Sequence, residues 1–141
     1  MTRNPGSWED DFPIREQFED FMGRRRAFVI ECYGNGLGYT VTAREESPVD
    51  EGYLFRVYSE TSPYHALGRL REKARLAMAT RHLDNARQML HDHLVGRITS
   101  DGEGGTILVV DGLAVSLDEL ARMLEGLEGW EFELRIKDSL A

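Results

Sequence analysis

The chain reads as an α+β protein made of two antiparallel β units with helices packed on the sheet faces. Three observations predict this. Apolar and polar side chains alternate in AFVIECY (27–33), YTVTARE (39–45), YLFRVYSE (53–60) and WEFELRIK (130–137), the period of a strand with one dry face. Glycine-rich stretches, GNGLG at 34–38 and DGEGG at 101–105, stand where hairpin turns are needed. One long stretch of helical period, Ser62 to Leu83, follows the first three strands. The predicted order is helix-strand-strand-strand-helix over residues 1–83 and strand-strand-helix-strand over 84–141, packed as one compact domain.

Residues 1–11 read as a loose arm, with Trp8 set to lie down on the rest. Asp11 and Pro13 mark a helix start. Ile14, Phe18, Phe21 and Met22 give it an inner stripe, and Gly23 an end. In the strands that follow, Phe28, Ile30 and Cys32 point inward, then Tyr39, Val41 and Ala43, then Tyr53, Phe55 and Val57. Gly34, Gly36 and Gly38 do not make a phosphate cradle, because a strand follows them where a helix N-terminus is required.

The long helix has Ser62 as its cap and Pro63 in its first turn, where a missing N–H costs nothing. Leu67, Leu70, Ala74, Ala77 and Met78 recur at steps of three and four and form its buried stripe. Each larger member adds roughly 1.5–3 kcal/mol on burial, enough to dock the helix. Leu76 falls on the opposite face. After a break near Asp84 and Asn85, an extended segment is expected from about Met89 to Ser100. LVGRITS and TILVVD then form a second hairpin, with the apolar second strand central. Ser116 and Glu119 make a capping box for a helix with Leu117, Leu120, Ala121, Leu124 and Leu127 inside. Gly126 and Gly129 mark the end of that helix. The faultless alternation of WEFELRIK closes the unit, with Trp130, Phe132, Leu134 and Ile136 on the dry side.

Composition narrows the function classes. Of 141 residues, 41% are hydrophobic and 30% charged, the balance of a globular chain, and the net charge is −8. Residues 1–83 carry −1 of this and residues 84–141 carry −7. That argues against general nucleic-acid binding, which needs a positive footprint. No apolar run approaches the roughly 18 residues of a membrane span, and MTRNPGSWEDDFP lacks a secretion pattern. A single cysteine, Cys32, favours a reducing cytoplasm.

Candidate sites are few. Arg69, Arg71, Lys73, Arg75 and Arg81 face only Glu72, a local balance of +4 in an acidic chain. With Leu76 on its outer side, this helix is the candidate partner-binding surface, and Arg24, Arg25 and Arg26 can join the patch. The alternative is that the row pairs with the chain's own carboxylates. Tyr33 and Tyr58, on the outer face of the first sheet, either contact a partner or are covered by the second unit or a dimer mate. His91 and His93 point to one side if their segment is extended and can then share a divalent ion, with His82 and Asp84 nearest as further ligands. The alternative is two surface histidines. No carboxylate pair stands out, no G-x-S-x-G is present, and Cys32 has no electropositive neighbour in sequence.

GYTVTARE, GYLFRVYSE and SPYHALGRLREKA, through Gly38, Tyr39, Gly52, Ala66, Leu67 and Leu70, resemble the strand-strand-strand-helix unit of HicB-type antitoxins over residues 27–80. That resemblance implies a nucleic-acid-binding or antitoxin module. It departs from the pattern in lacking a proline-containing strand end and a helix-turn-helix or ribbon-helix-helix tail. VDGLAVSLDELARMLEGLEGWEFELRIKD (110–138) is similar to the closing block of uncharacterised bacterial proteins of like size and implies no activity. The reading with most support is a small non-enzymatic binding or regulatory protein, without cofactor, acting on a protein partner or a second copy of itself. Its rivals are a metal-binding protein or metal-dependent hydrolase built on His91 and His93, and the HicB-like module.

Overall fold

The structure, a computed structural model, describes residues 7–140. It is α+β, with one four-stranded and one three-stranded antiparallel sheet and two α-helices. The chain divides into two units. The first takes the described residues of Met1–Ser47, Leu54–Thr80 and Asp138–Ala141, the second Pro48–Tyr53 and Arg81–Lys137. The first unit thus reaches Thr80 along α1, and the 48–53 loop goes with the second unit.

In the first unit a short 3-10 turn (Trp8–Asp11) leads into β1 (Ile14–Glu19), β2 (Arg25–Gly34), β3 (Tyr39–Glu45) and β4 (Leu54–Ser59), paired in that order. The expected first helix is therefore a strand. Ile14 and Phe18 lie four apart, a spacing that keeps one face in a helix and equally in a strand. Arg15, Gln17 and Glu19 alternate with them. Asp20 settles the matter by accepting from the N–H groups of Met22 and Arg24, at 2.8 and 3.0 Å, which folds residues 20–24 into a hairpin turn. Part of the expected N-terminal arm lies outside the described residues; Trp8, within them, packs edge-on against Tyr39 and Phe12.

The inward strand faces are as the alternation requires: Phe28, Ile30, Val41, Ala43, Phe55 and Val57 are buried. Helix α1 (Pro63–Met78) covers that face with Ala66, Leu67, Leu70, Ala74 and Met78. Ser62 caps it, accepting from Tyr64 and His65. The helix stops before Leu83, which belongs to the second unit.

The second unit holds β5 (Arg97–Ser100), β6 (Thr106–Val110), β7 (Leu113–Ser116) and α2 (Leu117–Met123), with β6 central. β7 was not expected. Asp111 and Gly112, at φ of 56° and 78°, make the two-residue turn that joins it to β6, and Ser116 then caps α2 at once. The capping box is present in full. The strand is only four residues long, and its last residue, Ser116, is already the cap. Leu83, Val110, Val115 and Met123 form the core, flanked by Met89, Leu94, Leu108, Leu113 and Leu120. Helix α2 therefore packs through Leu120 and Met123, while Leu117, Ala121 and Leu124 stay exposed.

Two further expectations fail. Residues 89–96 are irregular, and the strand begins only at Arg97. Residues 130–137 pair with no strand.

Candidate functional site

Residues 130–137 follow the exit from helix α2. Helix α2 ends at Met123 with Leu124 as its C-cap, and Trp130 N–H closes a final turn on Leu127 O at 3.0 Å. Gly126 and Gly129, at φ of 85° and 91°, turn the chain out of the helix. From there WEFELRIK runs without helix, turn or bridge. Arg135 Nε donates to Glu133 Oε1 at 2.8 Å, so side chains two apart share a side, as an open strand places them. Trp130, Phe132, Leu134 and Ile136, which alternate with the charged residues in sequence, are 72, 91, 75 and 69% exposed. Four large apolar groups so exposed within seven residues of open backbone are unusual for a folded surface. Ile98 on β5 and Leu117 and Leu124 on α2, each about half exposed, add to the apolar surface of the same unit.

The basic row of α1 is engaged by its own unit. Arg71 grips Glu16 of β1 with two bonds of 2.9 and 2.8 Å. Arg69 donates to Tyr58 O and Lys73 to Arg56 O and Ser139 O, so two of these bonds cap outward carbonyls of edge strand β4. Arg75 pairs with Glu72. Leu76 is 58% exposed on the outer side, where the periodicity puts it. Arg26 does not join this row. It lies largely buried between Glu45 (2.8 Å) and Asp20 (3.6 Å). Arg81 belongs to the second unit and donates to Leu83 O. Of the outer-face tyrosines, Tyr33 is exposed, its hydroxyl on Glu31, whereas Tyr58 is half-buried against Gly38.

His91 and His93 sit exposed in the irregular 89–96 segment, so the strand geometry that would align them is missing. Among the described residues no three His, Cys, Asp or Glu side chains gather as metal ligands would. His82 is turned elsewhere: its Nδ1 lies 2.9 Å from Asp111 Oδ1, and its N–H and that of Leu83 donate to Asp111 Oδ2 at 2.8 Å each. This buried staple was not foreseen. Its only local signal is the D-G turn that sets Asp111 at the tip of the β6–β7 hairpin.

Cys32 borders a shallow hollow in the first unit with Trp8, Glu9, Phe12, Pro13 and Glu31. Burial pushes its thiol up to about 11, so little of it is thiolate at neutral pH. Tyr64 donates to Asp11 nearby, and that bond raises its phenol. No helix among the described residues is long and apolar enough to cross a membrane.

No curated protein and no solved structure matches the chain. Two family models do, and neither description names a HicB-type module. They meet at residues 78–79, beside the break between the two structural units. Residues 10–79 are similar to one domain of unknown function (DUF7686), and residues 78–141 to another (DUF7713).

Proposed function

We propose that this chain is a non-catalytic binding protein whose contact surface is the 130–137 segment. The observation that carries this reading is the exposed row of Trp130, Phe132, Leu134 and Ile136 on unpaired backbone. Such a segment offers a partner two things at once. Its N–H and C=O groups from Glu131 onward can add to a sheet or to another strand, and its alternate side chains can fill apolar positions. Aromatic anchors of this kind supply most of the affinity of a protein interface. The basic row of α1 contributes less, because its side chains already hold carboxylates and edge carbonyls of their own unit.

A photo-reactive phenylalanine analogue at position 132, introduced in producing cells, tests this. One defined protein adduct, either a second copy or a single other protein, is expected. Val49, fully exposed, is the control position. No adduct at 132, or the same adducts from both positions, overturns the reading.

A further inference from the structure

We infer that the occupant of this surface is a second copy of the chain, the two 130–137 segments pairing antiparallel with Leu134 facing Leu134; the inference rests on the binding reading above. The order of charges on the polar side is Glu131, Glu133, Arg135, Lys137. Placed head to tail against itself, that order is complementary throughout: Glu131 stands opposite Lys137, and Glu133 opposite Arg135, each pair occurring twice. On the dry side Phe132 stands opposite Ile136 and Leu134 opposite its own copy.

The parallel in-register pairing and the neighbouring antiparallel registers are worse. A parallel pair offset by four keeps its charges matched only by giving up half the overlap, and it closes no twofold dimer. A parallel, in-register pair sets Glu on Glu, Arg on Arg and Lys on Lys, and like charges directly opposite destabilise. An antiparallel pair slipped by two residues sets Glu133 on Glu133 or Arg135 on Arg135. A slip of one sends the apolar row to the charged side. The favoured register is compatible with a twofold axis, as any antiparallel pairing of two copies is, and charge is what selects it.

The sheet edges of the same unit do not compete on charge. β7 carries none, and β5 carries only Arg97, which donates to Gly52 O. A two-stranded ribbon still needs a floor under its dry face. Leu117, Leu124 and Ile98 of each copy are available for it.

Sedimentation of the full chain over a concentration series decides, with circular dichroism to confirm that each variant keeps its fold. The wild-type chain is expected to form dimers. Glu131→Lys with Glu133→Lys makes the row wholly basic, and Arg135→Glu with Lys137→Glu makes it wholly acidic. Each double variant alone should dimerise about tenfold or more weakly, and an equimolar mixture should restore dimers containing one of each. A wild-type chain that stays monomeric, double variants that dimerise as the wild type does, or a mixture that stays monomeric overturns self-pairing. A monomeric chain whose position 132 crosslinks to one other protein leaves the binding reading standing and removes only this inference.

Discussion

Asp111 holds His82 by two separate bonds, its Oδ2 2.8 Å from the backbone nitrogen and its Oδ1 2.9 Å from Nδ1 of the ring. The carboxylate accepts, so Nδ1 carries the proton and donates. A third bond to Leu83 N–H ties the start of the second unit to the hairpin tip 28 residues later. Replacing Asp111 with Ala orphans buried donors and puts an ordinary residue at φ 56°. Urea denaturation should show a loss of about 2–4 kcal/mol. Asn, which tolerates this conformation and keeps one acceptor, should lose about half as much. A wild-type midpoint for Asp111→Ala would show that the staple is not structural.

Arg26 is the second buried anchor. Its guanidinium serves Glu45 and Asp20 with only 21% of the side chain exposed, while the acids are 8 and 3% exposed. Arg26→Ala leaves two buried carboxylates without their cation, a change worth about 2–4 kcal/mol once the partial exposure of Arg26 is allowed for. The denaturation midpoint should fall accordingly, and Arg26→Lys should recover part of the loss. Equal midpoints for Ala and wild type would contradict the burial of this cluster.

The Arg71–Glu16 pair is different in kind. Its arginine is 46% exposed, so Arg71→Ala should cost at most about 1 kcal/mol despite two good bonds. Leu76→Ala, on the exposed face, should stay within about 0.5 kcal/mol. A loss above about 2 kcal/mol for Leu76→Ala in dilute solution would mean that something covers that face.

Cys32 gives a pH dependence with a definite sign. Burial raises the folded thiol from 9.0 to about 11. The neutral thiol therefore favours the folded state below pH 9, and that contribution is lost as the pH rises to about 11. Alkylation of the native protein by iodoacetamide should be slow at pH 8 and keep accelerating up to about pH 11, whereas the unfolded chain should level off near pH 9. A native rate that levels off at pH 9 would contradict the burial.

How much of this was legible in the sequence depends on the range of the interaction. The strands through Phe28, Val41 and Val57 and the Ser62-capped helix were readable, because period and cap are local signals. β1 was misread because Ile14 and Phe18 satisfy two periods at once, and the turn made by Asp20 shows only as hydrogen bonds. β7 was hidden by its four-residue length between a turn and a cap. The candidate site divides the same way. The apolar alternation of Trp130, Phe132, Leu134 and Ile136 was plain, but whether a strand has a neighbour is not written in the strand. Nothing local announces that Arg71 meets Glu16 55 residues earlier, or that His82 meets Asp111 and not His91.

Amide hydrogen exchange across residues 130–137, measured on the full chain in dilute and in concentrated solution, tests the binding surface most directly. If this segment is a contact surface for a second copy, its amides exchange fast when dilute and become protected when concentrated. Exchange that is slow at both concentrations would mean the chain already pairs the segment internally. Exchange that is fast at both would mean no second copy covers it.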